Sequence, residues 1–267
     1  VTSQTATTPV RSPARPGVRS WLLLAVCEAK MVIRDTAGLI VPFGLPLLIL
    51  VMSASSASET VVTGGRTALD IYVLPLVFTM VVGLIGIVNT PSFLSAYRKS
   101  GVLRRLGATP ASPMMVLVAQ VVVGVVQAVL GMAVAFGAAV VFFGAHPPID
   151  PAAALGAVAL TFAAMFAVGM VVAAVAPTPN SAVALGLVAY LGFGALGGMF
   201  GGKASLPDGV ARVGEWLPFG AAVDALSSAW AGEGAAGGPM AVLAATAAAA
   251  ATAAAAAVVA AVFFRWE

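Results

Sequence analysis

Few residues in this chain could do chemistry, and their spacing narrows the options. One histidine, His146, and one cysteine, Cys27, occur in 267 residues. His146 stands beside Pro147 and Pro148, with Asp150 close by. That pair could hold a proton but falls short of the three protein ligands of a catalytic zinc; a loop histidine is the plainer reading. A lone cysteine rules out an intramolecular disulfide. The run GGMFGGKA, Gly197 to Ala204, is one hydroxyl short of the phosphate-binding pattern G-x-x-x-x-G-K-[ST]. That pattern works after a strand and ahead of a helix. Here it closes an apolar run, and Ala204 stands where the magnesium-binding hydroxyl belongs. Gly194, Gly198 and Gly202, spaced four apart, suit close helix packing or a dimer contact instead. No G-x-S-x-G nucleophile elbow occurs.

The long apolar runs hold no Asp, Glu or His, so intramembrane protease chemistry has no residues to use. They do hold the amides Asn89, Gln120 and Gln127. Gln120 and Gln127 are seven apart and share a helix face. Either these amides line a path for a weakly polar substrate, or they hydrogen-bond between helices.

The elements that must position these groups are membrane helices. Hydrophobic residues make up 61% of the chain and charged residues 9%, too few charges to cover a soluble domain. A net charge of +3 gives no reason to expect nucleic acid. Six apolar segments reach the length of a span: about 37–57, 71–91, 114–144, 152–176, 181–202 and 239–264. Pro42 and Pro46 should kink the first, where neighbouring helices can satisfy the freed carbonyls. Residues 1–17, polar and rich in Pro, Ser and Thr, read as a disordered cytoplasmic tail. Residues 18–35 read as an interfacial helix, with Val18, Trp21, Leu22, Ala25, Ala29, Val32 and Ile33 on one side and Arg19, Glu28, Lys30 and Arg34 interrupting the run.

With both termini placed inside, Arg11, Arg15, Arg19, Lys30, Arg34, Arg98, Lys99, Arg104, Arg105 and Arg265 are cytoplasmic, and only Arg66, Lys203 and Arg212 fall outside. That bias predicts an even number of spans. Between the second and third runs lies SFLSAYRKSGVLRRLGATPASP, residues 92–113, with four basic residues and Tyr97, Gly101, Leu103, Leu106 and Ala108 at roughly helical spacing. Thr109, Pro110 and Pro113 end any helix there. The segment reads as a short amphipathic helix on the cytoplasmic face, offered to a soluble partner, or as a solvated loop whose charges set topology. Residues 206–230, semi-apolar and broken by prolines and glycines, suit a re-entrant hairpin in the outer leaflet that includes Trp216, Pro218 and Asp224; an ordinary surface loop is the alternative.

GVLRRLGATPASP, residues 101–113, resembles the cytoplasmic signature of type-2 ABC exporter permeases, above all the drug-resistance branch similar to the daunorubicin permease. Arg34-Asp35 ahead of a proline-containing span, LPFGAAVDAL at 217–226 and the terminal FFRWE are similar to the same family. Ala96, Tyr97, Arg98, Lys99 and Ser100 stand where that family commonly has glutamates. The resemblance implies an all-α membrane protein: six transmembrane helices, an interfacial helix, a cytoplasmic coupling helix and an outer re-entrant hairpin. It implies a homodimeric efflux permease of the cytoplasmic membrane, served by two ABC ATPase subunits that bind ATP and Mg, with no cofactor on this chain. Tyr97, Arg98, Lys99, Gly101, Leu103, Arg104, Arg105, Leu106, Thr109 and Pro110 would then meet the ATPase or the lipid headgroups. The cargo would be a hydrophobic or amphipathic small molecule, with lipid-linked glycans as the alternative. A membrane-embedded enzyme lacks a reactive cluster; a passive channel or scaffold would need no ATPase.

Overall fold

A computed structural model describes residues 17–100, 113–233 and 237–249. Helix α1 spans Val18–Arg34 and ends where Asp35 turns extended; α2 follows at Thr36–Glu59. A short antiparallel ribbon, β1 (Val61–Thr63) and β2 (Arg66–Thr67), turns at Gly64 and Gly65, both with positive φ. The long helices α3 (Leu69–Lys99), α4 (Met115–Phe143, its first turn beginning at Pro113), α5 (Pro151–Val175) and α6 (Pro179–Leu196) come next. Then come a 3-10 turn at Lys203–Ser205 and the helices α7 (Asp208–Glu215), α8 (Pro218–Ala231) and α9 (Gly237–Ala249). Among the described residues, five helices, α2 to α6, are long and apolar enough to cross a membrane.

These helices alternate in direction, so each end of the bundle gathers alternate connections. The centre is α3, buried over most of its length, while α2, α4, α5 and α6 keep most of their apolar surface outward. Lipid would satisfy such a surface as well as protein does.

Proline chemistry shapes the interior. Pro75 and Pro91 both sit inside α3, and each lacks the N–H that would reach the carbonyl four residues back. Those carbonyls belong to Ile71 and Ile87, and both lie in π-helical turns, Leu69–Val73 and Leu84–Asn89. The wider turn absorbs the missing bond without breaking the helix. Thr90 Oγ1 also donates to the Ile85 carbonyl at 2.9 Å. In α2, Pro42 leaves the Gly38 carbonyl without its helical donor. Asn89 Nδ2 of α3 and Gln127 Nε2 of α4 donate to that oxygen instead, at 2.6 and 2.9 Å. The expected rescue of a proline-freed carbonyl is made by two of the amides singled out from the sequence.

Close packing against the centre depends on glycine at two positions. A Cβ at Gly169 of α5 would strike the Gly86 carbonyl, and one at Gly186 of α6 would strike the Ile87 carbonyl. Both obstacles are backbone atoms of the second π-helical turn, so neither can swing aside.

Two expected boundaries move. The second span does not stop at Pro91: its helix runs unbroken to Lys99, so residues 92–99 belong to α3 rather than to a separate coupling helix. The preceding π-helical turn lets Pro91 sit within the helix. The fifth span stops at Leu196 instead of residue 202, because Gly198, Gly201 and Gly202 take positive φ values of 88°, 157° and 77°. The sixth run is helical over Gly237–Ala249, and its remainder lies outside the described residues. So do residues 1–16 and 101–112, which hold Gly101, Leu103, Arg104, Arg105, Leu106, Thr109 and Pro110.

Candidate functional site

The end of the bundle where α3 finishes is built around Tyr97 and Arg98. Tyr97 points inward and is buried. Its hydroxyl donates to Glu28 Oε2 of α1 at 2.5 Å, and Gln120 Nε2 of α4 donates to the same oxygen at 2.5 Å. Glu28 is 3% exposed, a carboxylate taken out of water onto the face that α1 packs against α4. Burial pushes its carboxyl above the ordinary 4.5, and the two donated hydrogen bonds pull the other way. Two donors on one oxygen are what a buried carboxylate requires.

Arg98 turns the other way. Its Nη2 donates to the Ala173 and Ala176 carbonyls at 2.5 Å each, at the C-terminus of α5. Those oxygens belong to the turn that has no helical donors, and it carries the negative end of the helix dipole. Ser95 Oγ lies 3.4 Å from the same nitrogen. Lys99, next along, is exposed. The last turn of α3 is therefore tied to α1 and α4 through Tyr97 and to α5 through Arg98. The segment 101–112 leaves from this tied turn.

The opposite end has a different chemistry. Asp70 is fully buried in the first turn of α3. Thr67 N and Asp70 Oδ2, and Asp70 N and Thr67 Oγ1, make a reciprocal cap at 3.2 and 3.4 Å. Asp70 also takes the backbone N–H of His146 at 2.8 Å and faces its Nδ1 at 3.1 Å. Trp230 Nε1 of α8 donates to the His146 carbonyl at 3.1 Å. His146 is therefore a tether between α3 and α8. Asp150 instead caps α5, accepting from Ala153 N at 2.9 Å.

The stretch read as a hairpin holds the two short helices α7 and α8, separated by Trp216 and Leu217. Gly214 of α7 lies against the Leu196 carbonyl, and Gly220 of α8 against the Gly214 carbonyl. Phe219 packs edge-on to Tyr190 at 6.0 Å and Trp230 edge-on to Phe78 at 5.6 Å. Pro218 opens α8 and is buried, whereas Trp216 at the bend is 76% exposed. Asp224 pairs with Lys203. That pair lies on the wall of a cavity of about 820 Å³, and a neighbouring cavity of about 690 Å³ reaches the other side of Asp224, beside Glu215 and Trp216.

The structure thus separates residues that the sequence grouped. Gly194 lies in α6, but Gly198 and Gly202 lie beyond its end in the turn, so spacing by four does not make them one helical stripe. Asn89, Gln120 and Gln127 all bond to neighbouring helices. On α1 the side read as apolar is split, with Val18, Leu22 and Ile33 exposed, Trp21, Ala25 and Ala29 half-buried and Val32 buried. The buried side holds Glu28 and Val32, one turn apart. That i, i+4 spacing is the one sequence signal that could have found Glu28. Nothing local signals Arg98, whose partners are 75 and 78 residues away.

The family model for the ABC-2 type transporter matches residues 19–230, so it runs from the second residue of α1 to the last but one of α8. The chain belongs to that family. No curated protein matches the sequence. The protein is a multi-pass transmembrane component of an ABC transporter and is not itself an ATPase; the family in general works with an ATPase partner.

Proposed function

We propose that this chain is the permease of an ATP-driven exporter and moves a hydrophobic or amphipathic small molecule out across the cytoplasmic membrane. Two identical copies would pair with two copies of a separate ATPase, which would bind ATP and Mg. In this reading both termini are cytoplasmic and the end carrying Tyr97, Arg98 and Lys99 faces the ATPase.

The observation that carries it is the tied last turn of α3. A displacement applied to residues 101–112 reaches α1 and α4 through the Glu28–Tyr97–Gln120 cluster and α5 through Arg98. A segment hung from a loose loop would dissipate that motion. Lys99, with Arg104 and Arg105 beyond it, supplies charge for the ATPase surface or the lipid headgroups. We assign Asn89, Gln120 and Gln127 to holding helices together, since each would have to give up a bond to touch cargo.

The test is to co-express the chain with a candidate ABC ATPase and follow co-purification and substrate-stimulated ATP hydrolysis. Gly101→Pro combined with Leu103→Asp should abolish both while membrane insertion survives. Unchanged co-purification, or transport by the purified chain alone without ATP, would overturn the reading.

A further inference from the structure

The cavity of about 820 Å³ has no role in the coupling just described. Its walls come from α2 (Ile49, Met52), the start of α3 (Leu76), the turn at 197–204 and α8 (Val223). Ile49 and Met52 belong to a membrane-spanning helix, so the apolar side of the cavity lies at bilayer depth. At its other side Lys203 and Asp224 form an ion pair, and their side chains are still 24% and 33% exposed.

We propose that this cavity binds a zwitterionic amphiphile whose head exchanges partners with the Lys203–Asp224 pair while its apolar body lies against Ile49, Met52 and Leu76. The volume falls in the range of small-molecule sites and exceeds what a headgroup alone would fill. The charge pattern decides the head. A lone anion on Lys203 would stand next to the Asp224 carboxylate, and a lone cation on Asp224 would stand next to the Lys203 ammonium. A head carrying both signs meets each residue with its opposite and leaves neither charge unpaired in a partly apolar setting. Lys203 has three N–H donors, so it can serve Asp224 and a ligand phosphate together. The inference needs only the membrane-protein assignment, so it stands or falls apart from the cargo and direction of transport.

The test uses the full chain in nanodiscs made of equal parts phosphatidylethanolamine, which is zwitterionic, and phosphatidylglycerol, which is anionic, with matched acyl chains. Native mass spectrometry of the released protein reads the lipid retained. Phosphatidylethanolamine should be retained over phosphatidylglycerol by about tenfold, the size of one charge-assisted contact. Lys203→Met with Asp224→Leu should bring the ratio to about one. Val223→Trp, which leaves the ion pair and fills the cavity, should abolish retention of both lipids. Preference for phosphatidylglycerol in the unaltered protein, a ratio untouched by the charge-removing variant, or full retention in Val223→Trp would each overturn the proposal.

Discussion

At Glu28 burial and hydrogen bonding oppose one another, and burial dominates. A carboxyl raised above its ordinary value is held protonated by the fold more readily than by the unfolded chain. The native state then binds the extra proton, and stability falls as pH rises from 4.5 through the folded value. The melting temperature in detergent should therefore decline over that window, and Glu28→Gln should flatten the decline. A slope that survives in Glu28→Gln would place its origin elsewhere. Tyr97→Phe keeps the ring but removes one of the two donors to the carboxylate, and should cost about 2 kcal/mol. At Arg98 the expected loss is about 1–2 kcal/mol for Arg98→Met, because two carbonyls at a helix terminus lose their donor. Arg98→Lys should recover only part of this, since the shorter lysine stem does not carry its nitrogen as far as Nη2, the one atom that meets both oxygens. Chemical denaturation of the three variants in mixed micelles would measure the order.

The helices α3, α5 and α6 meet through bare backbone, and that is an element-scale property. Gly169→Val or Gly186→Val drives a side chain into a carbonyl that cannot rotate away. Overpacking costs about 1–3 kcal/mol in cores with some freedom to adjust, so these changes belong at the upper end. Lowered melting temperature and a broadened gel-filtration peak would register it. The α2–α3–α4 contact obeys a different rule. Pro42 frees the Gly38 carbonyl, and Asn89 with Gln127 take it. Asn89→Leu should cost about 1 kcal/mol, in the range of interhelical hydrogen bonds in membranes. In a Pro42→Ala background the helix supplies its own donor, and the same substitution should cost measurably less. Additive effects across that double-mutant cycle would show that the proline and the amide do not share the oxygen.

At the scale of the whole molecule, the alternating helices put Ser100 and Ser205 at opposite ends of the bundle, both exposed. With Cys27→Ser as background, Ser205→Cys should react with a membrane-impermeant maleimide in intact cells. Ser100→Cys should react only after permeabilisation. The reverse pattern would invert the proposed orientation. Much of this architecture was already legible. A span is a long uncharged run, and the first four runs match α2 to α5 to within a few residues, apart from the far end of α3. The break into the short helices α7 and α8 was readable from the prolines and glycines between them and around them. Length and hydropathy are local quantities, so the chain carries them whatever its neighbours do. The cross-helix partners of Glu28, Asp70, Arg98 and the freed Gly38 carbonyl are not local: they lie 51 to 92 residues away. A carboxylate in a basic amphipathic helix looks like a solvated charge until another helix covers it, and a proline looks like a terminator until a π-helical turn absorbs it. Residue order set where the first four apolar rods lie along the chain. Packing chose which polar atoms face one another, because in a membrane each buried donor or acceptor must find its partner on a neighbouring helix or remain unpaired.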